Sequence, residues 1–183
     1  MADTFVRRVV GAAMLNAGTY EEVEADRSAM PQAIAVIVFS SLAAGIGARG
    51  LSGGSGTLTF FVASTMFALM TWFVFAVATF QIGAHILPTP DTRADVGELL
   101  RTLGFAAAPG LIQVFGLVPG VTKPVFALAM AWTIAASVVA VRQSLDYTST
   151  TRAIAVCGIA WALAVFFLVV LGLLFSPTLS GFY

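Results

Sequence analysis

The sequence predicts an all-α membrane protein: five transmembrane helices, a cytoplasmic N-terminus, an extracytoplasmic C-terminus and short amphipathic helices before the first span. Three observations carry this. Only 10% of the residues are charged and 59% are hydrophobic, where soluble domains carry roughly 25% charged residues. The mean hydropathy is +0.96. The ionised residues also fall into alternate inter-span segments, which fixes an odd number of crossings.

Residues 1–30 read as cytoplasmic amphipathic and juxtamembrane helices, and residues 31–183 as the five-helix transmembrane domain. Arg7 and Arg8 precede the short apolar run VVGAAML, but Asp3 sits beside them and acids follow closely. An amphipathic helix in the headgroup plane, with Phe5, Val6, Val9, Val10 and Ala13 opposite Arg7 and Arg8, fits better than a cleaved signal. Thr19 and Glu22 have capping-box spacing and predict a second helix starting there.

A crossing needs about 20 apolar residues. Stretches of about 31–48, 57–87, 124–141 and 153–175 qualify, and the fifth, about 103–118, is the least regular. It lies within LLRTLGFAAAPGLIQVFGLVPG, which holds two prolines and four glycines, with Arg101 at its mouth and Gln113 in its middle. Pro109 removes a backbone donor and clashes with the preceding turn, so a kink is expected near Phe105–Ala108. In lipid the freed carbonyls need cover from neighbours, which makes this span central. Gly104, Ala106, Ala107, Ala108 and Gly110 leave room for close approach. Thr89, Pro90 and Asp91 read as the helix start that leads into it.

Arg7, Arg8, Arg27, Arg93, Arg101, Arg142 and Arg152 fall on one side of such a five-span chain, and Arg49 and Lys123 on the other. All nine acids join the larger group. The positive-inside rule then makes that side cytoplasmic. Arg142 and Asp146, four residues apart, are expected to pair at the end of span four. Small residues at four-residue spacing predict packing faces: Ala127, Ala131 and Ala135; Ser41 with Gly45 and Ala43 with Gly47; Gly158 with Ala162 and Ala160 with Ala164.

Span two carries a polar arc of Ser64, Thr71, Thr79 and His85, extended by Gln81, which should face protein. It reads first as interhelical hydrogen bonding, with Gln113 as a partner, or as hydroxyls bonding back to their own helix. The sharper reading is a polar path or a switch at His85.

No catalytic motif survives its context. GIGARG ends an apolar helix rather than joining strand to helix. Ser55, in Gly53–Gly56, is thirty residues from the one histidine, His85, roughly 45 Å along a helix. One histidine and one cysteine supply neither a metal site nor an internal disulfide. No enzyme activity, cofactor or metal is expected, and zero net charge leaves no nucleic-acid footprint.

The segments LLRTLGFAAAPGLI, AWTIAASVVAVRQSLDYTSTTRAIAV and TYEEVEAD resemble the Yip family of membrane proteins, named for interaction with Ypt/Rab GTPases, and most closely its bacterial branch. The resemblance runs from about Thr19 to about Leu171, with Gly104, Phe105 and Pro109 as its Gly-aromatic pair and proline. It implies five spans, a cytoplasmic N-terminus and, for a bacterial member, the cytoplasmic membrane. Eukaryotic relatives act as non-enzymatic scaffolds in vesicle traffic. Their longer leader bears an Asp-Leu-Tyr-Gly-Pro-like motif that this leader lacks, so Rab binding is not carried over. The expected function is a scaffold or adaptor in membrane organisation, contacting lipid and other membrane or cytoplasmic proteins, with self-association left open. The alternative is a solute transporter or channel component using spans two and three.

Overall fold

The computed structural model describes residues 2–52, 57–89, 95–118 and 120–179, and they are helical almost throughout. The helices are α1 (Ala2–Ala13), α2 (Ala17–Ala25), α3 (Met30–Ala48), α4 (Leu58–Gln81), α5 (Val96–Ala106), α6 (Thr122–Ser144) and α7 (Thr150–Leu179). Five helical segments are long and apolar enough to cross a membrane: Arg27–Leu51, Leu58–Ile86, Val96–Leu117, Thr122–Ser144 and Thr150–Leu171. They correspond to the five spans read from sequence. The third begins at Val96, a turn and more before the apolar run, because Asp95 caps it by accepting a hydrogen bond from the Glu98 N–H at 3.0 Å. Pro90, Asp91 and the expected start around them lie outside the described residues.

The third span is the axis of the bundle. In its most apolar window 67% of residues are buried, against 17% for the span containing α4. α5 stops at Ala106, and the chain continues as a 3₁₀-helix, Ala108–Leu117, with Pro109 in its first turn. The expected kink is thus a change of helix type at Ala107. A 3₁₀-helix is slimmer and rises about 2.0 Å per residue rather than about 1.5 Å. That slimness lets α3 and α6 close on it from two sides. The Ala107 carbonyl, which accepts from the Gly110 N–H at 2.9 Å, accepts a second hydrogen bond from the Ser40 hydroxyl of α3 at 2.8 Å. Pro109→Ala is expected to let α-helical bonding run on past Ala107 and straighten the span. Amide exchange should then show new protection at residue 109, and an unchanged pattern would refute this.

Small residues make the close contacts, though not all those expected. On α3, Gly45 abuts Thr65 of α4 and Gly47 abuts the Gln113 carbonyl. Gly104 of α5 faces Ala33, where an added Cβ would lie 2.7 Å from the Ala33 Cβ. On α7, Ala160 and Ala164 are buried, but Gly158 and Ala162 are exposed. On α6 the packing face is Ala129, Ala136 and Ala140, not the predicted Ala127, Ala131 and Ala135 stripe. Both α6 sets have helical spacing, so periodicity alone could not choose between them.

α1 and α2 form a hairpin in the same core as the bundle, through Ala12, Tyr20 and Val23. The Trp132 indole, midway along α6, donates to the Ala13 carbonyl at 2.6 Å, so the hairpin tip reaches well down the bundle. α1 turns Phe5 and Val9 inward and leaves Val6, Val10 and Met14 exposed, an apolar stripe at four-residue spacing facing away from the protein. The expected second helix exists but starts at Ala17, behind Asn16. Thr19 is buried within it, and Glu22 binds arginines rather than closing a capping box.

Candidate functional site

Two regions collect the polar groups, and the first is the charged end of the bundle. The α1–α2 hairpin meets α5 and the end of α6 here, and Arg152 of α7 donates to the Pro88 carbonyl after α4, while the α3–α4 and α5–α6 connections meet at the other end. Arg8 is 6% exposed, and each of its three nitrogens has a partner. Nε donates to Glu22 Oε1 at 2.9 Å, Nη1 to Gln32 Oε1 at 3.1 Å and Nη2 to Asp26 Oδ2 at 2.7 Å. Arg7 adds a forked pair to Glu22 at 2.7 and 2.9 Å. The expected solvent face of α1 is corrected here: Arg8 points inward, because Glu22, Asp26 and Gln32 neutralise and bind it. Burial opposes the Arg8 charge, but Asp26 and Glu22 outweigh it and hold the guanidinium above its ordinary value. Hydrogen bonds from Arg7 and Arg8 hold Glu22 below its ordinary value, and bonds from Ser28 and Arg8 bring Asp26 down to about 2.

Arg101 is 5% exposed and reaches from α5 to the end of α2. Its Nε donates to the Val23 carbonyl at 3.0 Å and its Nη2 to the Glu24 carbonyl. A helix leaves its last carbonyls unpaired, and a guanidinium there satisfies them and the negative end of the dipole together. The mouth position read from sequence is therefore a cap between helices distant in sequence.

The predicted Arg142–Asp146 pair does not form. α6 ends at Ser144, and Asp146 takes a left-handed backbone, φ 52°, so the two side chains leave the common helical face. Arg142 Nε instead donates to the Tyr147 carbonyl at 3.4 Å. The Tyr147 hydroxyl shares its proton between the Gly83 and Leu87 carbonyls, at 2.8 and 2.9 Å, where α4 ends in a π-turn, Ile82–Ile86.

Around Glu24 lie Glu98 from α5, Asp146 after α6 and Glu21 from its own helix, with Arg101 as the opposing charge. Burial, then these three acids, push the Glu24 carboxyl up to about 7 from an ordinary 4.5. Between those pH values the folded chain holds more protons than the unfolded one, so stability falls as pH rises through the window. Glu24→Gln should remove that fall. Thermal midpoints compared at pH 5 and pH 8 check it, and an equal decline in the variant would count against it.

The second region is a cleft of about 740 Å³ between α4 and α6, walled by α3 and the 3₁₀ segment. It brings together Ser64, Thr71 and Gln113 of the predicted set. The Ser64 hydroxyl donates to the Phe60 carbonyl at 2.6 Å and Thr71 to Phe67 at 2.7 Å. Both bond back to their own helix, which leaves the wall largely apolar. Phe75 and Trp161 stack across the cleft's deep end with centroids 4.8 Å apart.

Thr79, Gln81 and His85 do not join it. Thr79 is fully buried, whereas Gln81 and His85 are exposed and His85 meets the Phe80 ring edge-on at 5.4 Å. Thr79 and Gln81 lie on the regular part of α4 and turn away within the width of the arc; the π-turn that follows adds a residue to the helical repeat, so His85 alone loses its phase there. Phe105 and Pro109 are fully buried structural residues beside the cleft. Sequence reasoning missed Arg8, Tyr147, Trp72 and Trp161, and the buried role of Glu24. Each depends on partners far away along the chain, so no local spacing marks them. Among the described residues no group of three or more metal-ligating side chains forms.

A family model described as the Yip1 domain matches residues 16–171. Comparison with curated proteins and with solved structures finds no match.

Proposed function

The chain belongs to the Yip1-domain family and is a multi-pass membrane protein, and from that premise we propose that it acts as a non-catalytic scaffold or adaptor. The docking surface is the charged end: α2 with the first turn of α5 and the α6–α7 connection. One observation carries the reading: ion pairs lock α1 to α2, and the buried Arg101 cap with the Arg8–Gln32 hydrogen bond fixes the hairpin on the bundle, so its acids are held in a set arrangement. Glu21 and Asp146 stand exposed there, beside Glu24 and Glu98. A preorganised acidic surface suits a basic partner, because ordering costs are already met. We place this end in the cytoplasm by the arginine asymmetry and the membrane as the cytoplasmic membrane of a bacterium.

Photo-crosslinkers at Glu21 and Asp146, in native membranes, should capture a discrete partner. The double reversal Glu21→Lys with Asp146→Lys should lose it while leaving the Arg8 network intact. Recovery of the same products with and without reversal would reject the scaffold. A reporter fused at Tyr183 is expected to be extracytoplasmic, and cytoplasmic activity there would overturn the orientation.

A solute path through spans two and three is the second reading, favoured by the meeting of Ser64, Thr71 and Gln113 in one cleft. Cysteine probes at Thr71 and Gln113, in a Cys157→Ser background, should react with aqueous reagents if a path exists and stay inert if it does not.

A further inference from the structure

We propose that the cleft between α4 and α6 holds one acyl chain of an anionic glycerophospholipid, with Lys123 meeting its phosphate. The cleft lies among membrane-spanning helices, so the medium at its open side is hydrocarbon. α4 is held by α3 and α7, and α6 by the 3₁₀ segment and α7, which leaves the two splayed above the Phe75–Trp161 stack. Its volume, about 740 Å³, is within the roughly 300–1,000 Å³ of sites that bury small apolar ligands. The walls offer Ile37, Phe67, Trp72 and Met130, and four of the six lining hydroxyls, those of Ser40, Ser64, Thr71 and Ser137, donate to backbone carbonyls, which leaves Ser41 and Thr133. Water gains little from such walls, whereas an acyl chain restores the dispersion contacts an empty cleft would lack.

Charge at the cleft's other end selects the headgroup. Leu51 lines both the cleft and a smaller pocket, about 330 Å³, formed with Gly50, Gly120, Thr122 and Lys123. Lys123 is the chain's only lysine, and it stands exposed at the end of the bundle opposite the acids. An ammonium at that level attracts a phosphate. Gln113 sits on the cleft wall roughly 8 Å below the end of the 3₁₀ segment, at about 2.0 Å per residue, with no side-chain hydrogen bond to the described residues. That is the depth at which a glycerol ester carbonyl would accept from its amide. The charged-end docking surface takes no part in this site, so either reading can fail without the other.

The test uses the full chain in phosphatidylcholine vesicles containing phosphatidylglycerol. Native mass spectrometry after mild detergent extraction should find one phosphatidylglycerol retained per chain, several-fold in preference to phosphatidylcholine. Lys123→Ala should abolish the preference, and Ala127→Phe, which fills the cleft, should abolish retention of either lipid. A second readout needs no variant: two of the three tryptophans, Trp72 and Trp161, line the cleft. Quenching of wild-type fluorescence by phosphatidylglycerol with brominated chains should saturate at a low mole fraction. Quenching that rises in proportion to the bulk fraction, retention without headgroup preference, or retention unmoved by Lys123→Ala or Ala127→Phe would overturn the proposal.

Discussion

Replacing Arg101 with methionine is expected to release the α1–α2 hairpin from the bundle and destabilise the protein by about 3 kcal/mol, since hydrogen bonds to a charged group contribute about 1.5–3 kcal/mol each. Two carbonyls at the end of α2, Val23 and Glu24, lose their donor in a buried setting. Methionine fills much of the space but donates nothing. Arg101→Lys should fall between wild type and methionine, because an ammonium keeps the charge but cannot fork across two carbonyls. Amide exchange in α2 and trypsin cleavage at Arg27 read the release directly. Wild-type protection of α2 in Arg101→Met would show that the cap is dispensable.

Gly47→Val should cost at least as much, about 3 kcal/mol, the upper range for forcing added bulk into a packed interior. A Cβ at Gly47 would overlap the backbone carbonyl of Gln113 and lie 3.0 Å from the Phe126 ring. A carbonyl on the central 3₁₀ segment cannot step aside as a side-chain tip can, so α3 would have to back away from the bundle axis. Gly158→Val is the control, since nothing lies within 4 Å of a Cβ there. Thermal midpoints in detergent should separate the two variants widely, and equal midpoints would contradict the packing described for α3.

Arg8 shows why part of the charged end was illegible. Its spacing on α1 gives a solvent face, but Glu22, Asp26 and Gln32, 14 to 24 residues on, draw it inward. The Arg142–Asp146 pair failed for a related reason. The i, i+4 rule presumes an unbroken helix, and α6 ends between the two residues. The polar arc lost His85 to a π-turn that shifts the helical phase after Gln81, while Thr79 and Gln81 part from it on the regular helix, one buried and one exposed. Pro109 was legible because a missing N–H and a ring clash are local facts. Its consequence, ten residues of 3₁₀-helix, depends on α3 and α6 closing around it.

The sequence by itself determined the helical membrane class, the five crossings, the central place of the third and the gathering of the acids at one end. These follow from partition between water and lipid, which depends on the polarity of each successive segment and hardly on its neighbours. Tertiary structure alone decided that Arg8 and Arg101 bind the leader to the bundle, that α6 packs through Ala129, Ala136 and Ala140, and that a cleft opens beside α4. Those outcomes rest on close packing and hydrogen bonds between residues far apart in the chain, and no local periodicity encodes which distant partner arrives.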